Sequence, residues 1–136
     1  MALGDSLMVV TGAASGIGRA VVKAAVAKGA RVAALDVADD LVGDLADLLG
    51  VNYIHCDVSD PDAWADVSGQ IEALGGLRYV HLNAGTQIAP PNAPLNEYRF
   101  AGMQLDRYRR MMGVNVDGVV FGLQALVPLV AEGGSI

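Results

Sequence analysis

In the stretch "LMVVTGAASGIGRAVV", Leu7 to Val22, three glycines stand where a backbone could hold an anion. Gly12, Gly16 and Gly18 read Gly-x-x-x-Gly-x-Gly, whereas the common dinucleotide fingerprint is Gly-x-Gly-x-x-Gly. An apolar run, Leu7 to Val10, precedes them and suits a strand covered on both faces. Helical spacing through Ile17, Val21 and Ala24 follows them over Gly16 to Lys28, with Gly29 as the stop signal. Such a strand-to-helix turn presents free N–H groups and the positive end of the helix dipole, which suits a pyrophosphate. Gly12 permits the sharp exit from the strand, Gly16 lets the backbone approach the phosphates, and Gly18 lets the helix pack closely on the sheet. Taken alone, the same residues also fit a glycine-rich turn that holds no ligand.

Asp36 narrows the choice. It closes the next strand, "RVAALD" (Arg31 to Asp36), at the distance where an acidic residue receives the ribose hydroxyls of an adenosine. Its carboxylate would accept from both hydroxyls and repel a 2′-phosphate, and neither Ser15 nor Val37 supplies a cation to pair with one. Several Asp residues lie just beyond it, so a helix cap or a loop acid is the alternative reading of Asp36.

These residues need a frame that brings strand ends together. An acidic helix is expected over Asp39 to Leu49, closed by Gly50, and a third strand over Val51 to Cys56. Asp60 can cap the next helix, with Pro61 at its first position, where a missing N–H costs nothing. "LRYVHL", Leu77 to Leu82, reads as a fourth strand ended by "NAG". Thr86 to Ala101, rich in Pro and Asn, reads as a surface loop near the mouth of a site. A long helix is expected from about Gln104 to Ala131. Strands alternating with helices give an α/β chain with a Rossmann-like, doubly wound parallel sheet, in which ligands bind beyond the carboxyl ends of the strands.

The chain-wide properties exclude several functions. With 136 residues, 53% of them apolar, the chain reads as a single globular domain, residues 1–136. A formal charge of −6 argues against nucleic acid and anionic membrane surfaces and favours a small-molecule ligand. "MALGDSLMVV" has no basic leader or cleavage pattern, and the lone Cys56 fits a reducing cytoplasm. The most apolar segment, Val114 to Val130, is shorter than a membrane span and carries Asn115, Asp117, Gln124 and Pro128, so it reads as a buried helix. It is apolar nearly all round, so something must cover several sides, and homo-oligomer formation through Val114 to Val130 is expected. His55 and His81 read as packed or hydrogen-bonded strand residues, and Arg107, Arg109 and Arg110 as the solvated face of a helix. No Cys, His or carboxylate cluster has metal-ligand spacing.

Four blocks in order resemble the classical short-chain dehydrogenase/reductase family. "TGAASGIG" is similar to that family's Thr-Gly-x-x-x-Gly-x-Gly, which implies that Gly12, Ser15, Gly16, Ile17 and Gly18 form the cofactor turn. "CDVSD" resembles its adenine-side block and implies contacts from Asp57 and the backbone of Val58. "NAG", Asn83, Ala84 and Gly85, is similar to the element that supports the sheet and lines the cofactor. "VNVDGVVFG" resembles the fourth-helix block and implies that Asn115 is the catalytic asparagine of a proton relay. An amide inside a helix can bond the backbone and bend the turn, leaving a carbonyl free to hold water. A buried Asn satisfied by its own helix is the plainer alternative.

The resemblance implies an NAD-dependent oxidoreductase that moves a hydride between the nicotinamide and an alcohol or ketone. Its chemistry also needs a Tyr with a Lys four residues later. The only lysines, Lys23 and Lys28, precede Tyr53, Tyr79, Tyr98 and Tyr108, so that pair is absent. "GGSI", Gly133 to Ile136, is similar to the entry to a fifth strand, after which the family's Ser and Tyr would come. The chain is therefore expected to be the N-terminal part of such an enzyme and inactive alone. Two other readings stand beside it: a half-domain that binds a nucleotide or a partner without catalysis, and a methyltransferase-like nucleotide binder. A sheet ending at strand four speaks against the half-domain, because it leaves an open edge and an apolar helix face. The methyltransferase reading leaves "NAG" and the Asn115 block unexplained.

Overall fold

The computed structural model describes residues 3–41, 43–48 and 50–136. Strands β1 (Leu7–Thr11), β2 (Arg31–Asp36), β3 (Val51–His55) and β4 (Leu77–His81) form a parallel sheet in the order β3-β2-β1-β4. Helices cover both faces, as continuous apolar strands require. Val9, Ala33, Leu35 and Val80 point to one face, against helices α3 (Pro61–Leu74) and α5 (Gly118–Leu126). Val10, Val32 and Ala34 point to the other, against helix α1 (Gly16–Ala27) and Leu45 of the short helix α2 (Gly43–Ala46). Beside β4, Ser135 donates its N–H to Arg78 O and its carbonyl accepts from Val80 N–H, so "GGSI" adds one parallel bridge to the four-stranded sheet, as the entry to a fifth strand would.

Two elements differ from expectation. The helix expected over Asp39 to Leu49 is a 3-10 turn, Asp39–Leu41, and the single turn of α2; Val42 and Leu49 lie outside the described residues. Asp and Gly are poor helix interiors, and the carboxylate of Asp39 is held from β3 by Tyr53 and His55 rather than left on a helix face. The long helix runs Leu105–Leu129, but as α4 (Leu105–Met112), a π turn (Gly113–Asp117), α5 and a terminal 3-10 turn. By length and composition that helix could cross a membrane, yet four charges, Asp106, Arg107, Arg109 and Arg110, occupy its first two turns. Leu126 is fully buried in the core, but only 17% of the helix's apolar stretch is buried, so the buried helix expected over Val114 to Val130 is covered on one side only, by α3 and the sheet.

Helix α3 begins as its sequence suggests: Asp60 accepts from Asp62 N–H at 2.9 Å and Pro61 opens the helix. Trp64, Val67 and Ile71 form its buried stripe, and the indole N–H of Trp64 donates to Val58 O at 2.9 Å. Helix α5 approaches this stripe through Gly122, where a Cβ would stand 3.0 Å from Trp64 and from Leu82. Val116, Val120, Leu123 and Val127 remain on the exposed side of the long helix.

Candidate dinucleotide cleft

At the carboxyl ends of the strands, Thr11 joins β1 to β4. Its hydroxyl is buried and accepts from Asn83 N–H at 2.9 Å and Ala84 N–H at 3.0 Å. The Asn83 amide returns a hydrogen bond to Thr11 O at 3.2 Å. The glycine turn rests on this joint. A Cβ at Gly18 would lie 2.1 Å from Gly12 O, so no side chain fits where α1 meets the turn. Gly16 has a φ of +51° and open space beyond it, facing the cleft rather than the protein. Ser15 is the N-cap of α1 without a side-chain cap hydrogen bond, so the first helical N–H groups are left for another acceptor.

Asp36 is a loop acid, the plainer of its two readings, and it also lines the cleft. One carboxylate oxygen accepts from Ala14 N–H at 2.9 Å, and the other from Val37 N–H at 2.8 Å and Ala38 N–H at 3.0 Å. It caps its own loop, ties β2 to the glycine turn and still faces the cleft. Arg19 steadies the same loop through Ala14 O at 3.2 Å and Leu41 O at 3.1 Å. Behind it, the Tyr53 hydroxyl reaches Asp36 O at 3.0 Å and hydrogen-bonds the Asp39 carboxylate, which also takes His55 Nδ1 at 2.8 Å. Those hydrogen bonds, from Tyr53 first and then His55, hold the Asp39 carboxyl below its usual range. Burial and the same carboxylate raise the Tyr53 phenol above its ordinary value. His55 is thus hydrogen-bonded as expected, while His81 keeps a buried Nε2 without a partner among the described residues.

The cleft so framed has a volume of about 360 Å³. Of the residues assigned to a cofactor from sequence, all but Gly18 and Asp57 line it: Gly12, Ser15, Gly16, Ile17, Asp36, Val58, Asn83, Ala84 and Gly85. Gly18 stands behind the turn. The Asp57 carboxylate is turned to Ser59, accepting its N–H at 3.0 Å and its hydroxyl at 2.7 Å. Val37, Cys56, Thr86, Arg110 and Val114 also line the cleft and were not assigned to a cofactor from sequence. Cys56 and Val114 sit inside or beside the recognised blocks, which was the available signal; Arg110 had none beyond its charge. Burial, followed by the nearby Asp57 and Asp60, pushes the Cys56 thiol up to about 12.

Asn115 is satisfied by the loop after β4, not by its own helix. Its Oδ1 accepts from Thr86 N–H at 2.7 Å and its Nδ2 donates to Thr86 O at 2.9 Å. Around it the helix widens: Gly118 N–H reaches Gly113 O five residues back. Arg107 and Arg110 are likewise not merely a solvated face. Arg107 is paired with Glu97, and both arginines line a second cavity of about 520 Å³ that shares Gly85, Thr86 and Arg110 with the cleft.

Comparison with known proteins agrees with this geometry. Residues 12–136 match the profile of a family described as enoyl-(acyl carrier protein) reductase. The mitochondrial borneol dehydrogenase of Lavandula x intermedia is 32% identical over 137 residues, which take in 98% of this chain and 51% of that protein. The 3-alpha-(or 20-beta)-hydroxysteroid dehydrogenase of Mycobacterium bovis is 35% identical over 130 residues, 92% of this chain and 46% of that one. The crystal structure of a short-chain dehydrogenase/reductase described as glucose/ribitol dehydrogenase, from Brucella melitensis, superposes with a TM-score of 0.84 at 27% identity, covering 100% of this chain and 57% of its own. This chain spans about half the length of the curated relatives it matches. With the profile matched over most of its length and its strands ending in the glycine turn, Asp36 and the Asn83–Gly85 element, the chain belongs to the short-chain dehydrogenase/reductase family of oxidoreductases.

Proposed function

We propose that this chain is the dinucleotide-binding part of an NAD-dependent oxidoreductase acting on an alcohol or ketone. The observation that carries the reading is Asp36: an acid held by three backbone N–H groups, facing the cleft beside the glycine turn. Its three hydrogen bonds leave about one of its four lone-pair sites, on the oxygen that takes Ala14 N–H, for a ribose hydroxyl, while its charge opposes a 2′-phosphate. Ser15, Gly16 and Ile17 at the start of α1 supply N–H groups to a pyrophosphate, and Val58 and Val114 supply apolar walls to an adenine. When bound, the nicotinamide accepts or donates the hydride. Asn115, held by Thr86 within a π turn, is assigned to positioning the water of a proton relay. No Tyr in these 136 residues has a Lys four positions later, so in this reading the chain alone binds the dinucleotide without turnover. Cytoplasmic location and pairing of copies through the exposed Val116, Val120, Leu123 and Val127 are part of the same proposal.

Calorimetric titration of NAD and NADP tests it. Like charges about 4 Å apart repel by roughly 4 kcal/mol at an effective dielectric near 20, and a third of that is about tenfold in affinity. NAD should therefore bind at least about tenfold tighter than NADP, with Asp36→Asn narrowing the gap. Because Asp36 also caps its loop, the variant is compared only where its circular dichroism is native. Equal affinities for the two dinucleotides would overturn the assignment.

A further inference from the structure

Two cavities meet at one arginine. Arg110, on α4, lies one helical turn before Val114 of the π turn, and both line the inner cleft; Arg110 also lines the outer cavity of about 520 Å³. The volume suits a small organic molecule. Ile88, Ala89, Pro90 and Pro91 give this cavity its apolar surface, beside the polar Thr86 and Gln87. Of the two arginines there, Arg107 is neutralised by Glu97. The Arg110 side chain has no ion pair or hydrogen bond with any described residue, so its five N–H donors stay available in a chain of net charge −6. A guanidinium fork matches a carboxylate or a phosphate ester in geometry as well as charge.

We propose that Arg110 anchors an acidic group of the molecule in the outer cavity, so that the substrate is an anionic alcohol or ketone: a compact apolar body bearing one carboxylate or phosphate. This rests on the cleft beside it being the dinucleotide site. In that reading the pyrophosphate accepts from the N–H groups of the glycine turn, whereas Arg110, with Gly85 and Thr86, lines both the cleft and the outer cavity. The apolar wall contributes area and the arginine contributes orientation, a division common to small-molecule sites.

The probes are cyclohexanecarboxylate and its neutral amide, which share a body and differ in charge. They are titrated by NMR into the 136-residue chain, free and saturated with NAD, following the amides of Thr86, Gln87 and Arg110. The carboxylate should bind about tenfold tighter than the amide, as for a charge-assisted hydrogen bond, and lose that advantage as salt is raised. Arg110→Gln should erase the preference, while Arg109→Gln, whose residue lines neither cavity, should keep it. Equal binding of the two probes, or a preference that survives Arg110→Gln, overturns the anchor. So does a variant that loses only NAD affinity, since Arg110 would then serve the pyrophosphate. A carboxylate preference without any NAD binding would overturn the dinucleotide reading and leave the anchor standing.

Discussion

Replacing Thr11 by Val should loosen the joint on which the whole cleft is built. The substitution keeps the β-branched shape suited to a strand and removes only the hydroxyl. That hydroxyl is the acceptor for Asn83 N–H at 2.9 Å and Ala84 N–H at 3.0 Å, and Thr11 itself is 2% exposed. Each N–H is partly buried, so stranding it costs toward the lower end of the range, ~1 kcal/mol, and the pair ~2 kcal/mol. Against a total stability of ~5–15 kcal/mol this is a sizeable loss. With a urea dependence of ~2 kcal/mol per molar for a domain of this size, the unfolding midpoint should fall by ~1 M. Thr11→Ser separates the causes: it keeps the acceptor, drops one methyl and should cost ~1 kcal/mol. Equilibrium urea unfolding followed by far-UV circular dichroism measures both, and the amide shifts of Asn83 and Ala84 report the joint directly. A Thr11→Val midpoint within ~0.2 M of the parent would refute the reasoning, because the two N–H groups would then have found other partners at no cost.

Asn115→Leu removes both hydrogen bonds to the Thr86 backbone, so hydrogen exchange at Thr86 N–H should accelerate by about tenfold or more while α5 stays protected. Unchanged exchange would mean that the amide is decorative. The Cys56 thiol, 2% exposed and pushed up to about 12 chiefly by burial, should react with iodoacetamide at pH 8 more than ~100-fold slower than a free thiol, with full reactivity only on unfolding. Because its folded value lies above the ordinary one of 9.0, its contribution to stability is complete below pH 9.0 and is lost as pH rises toward about 12. Stability should fall more steeply across that window in the parent than in a Cys56→Ala control, where Tyr53 still titrates; equal slopes would mean that Cys56 contributes nothing.

The order of strands and helices, the glycine turn, Asp36 and the start of α3 were legible in the sequence. Each depends on residues close along the chain: an apolar run that leads into glycines, an Asp followed by Pro, an acid at a strand end. The fifth-strand entry at Gly133–Ile136 was legible for the same reason. The broken helix after β2 was not, since Asp39 looks like any acidic helix residue until β3 brings Tyr53 and His55 against it. Nor was the second duty of Asp36, whose contact with Ala14 N–H spans 22 residues. Arg110 reads as one charge among three on a helix, and only the packing of α4 beside the loop after β4 sets it between two cavities. Periodicity reports which face of one element is apolar. It carries no information on which backbone groups from distant segments will lie within 3 Å of a side chain. Thr11 meets Asn83 across 72 residues, and Asn115 meets Thr86 across 29, because the strand order β3-β2-β1-β4 sets β1 beside β4 and the long helix over its end. Local chemistry thus determined the kind of ligand the turn could hold, and strand adjacency in the folded sheet decided which side chains were fastened around it.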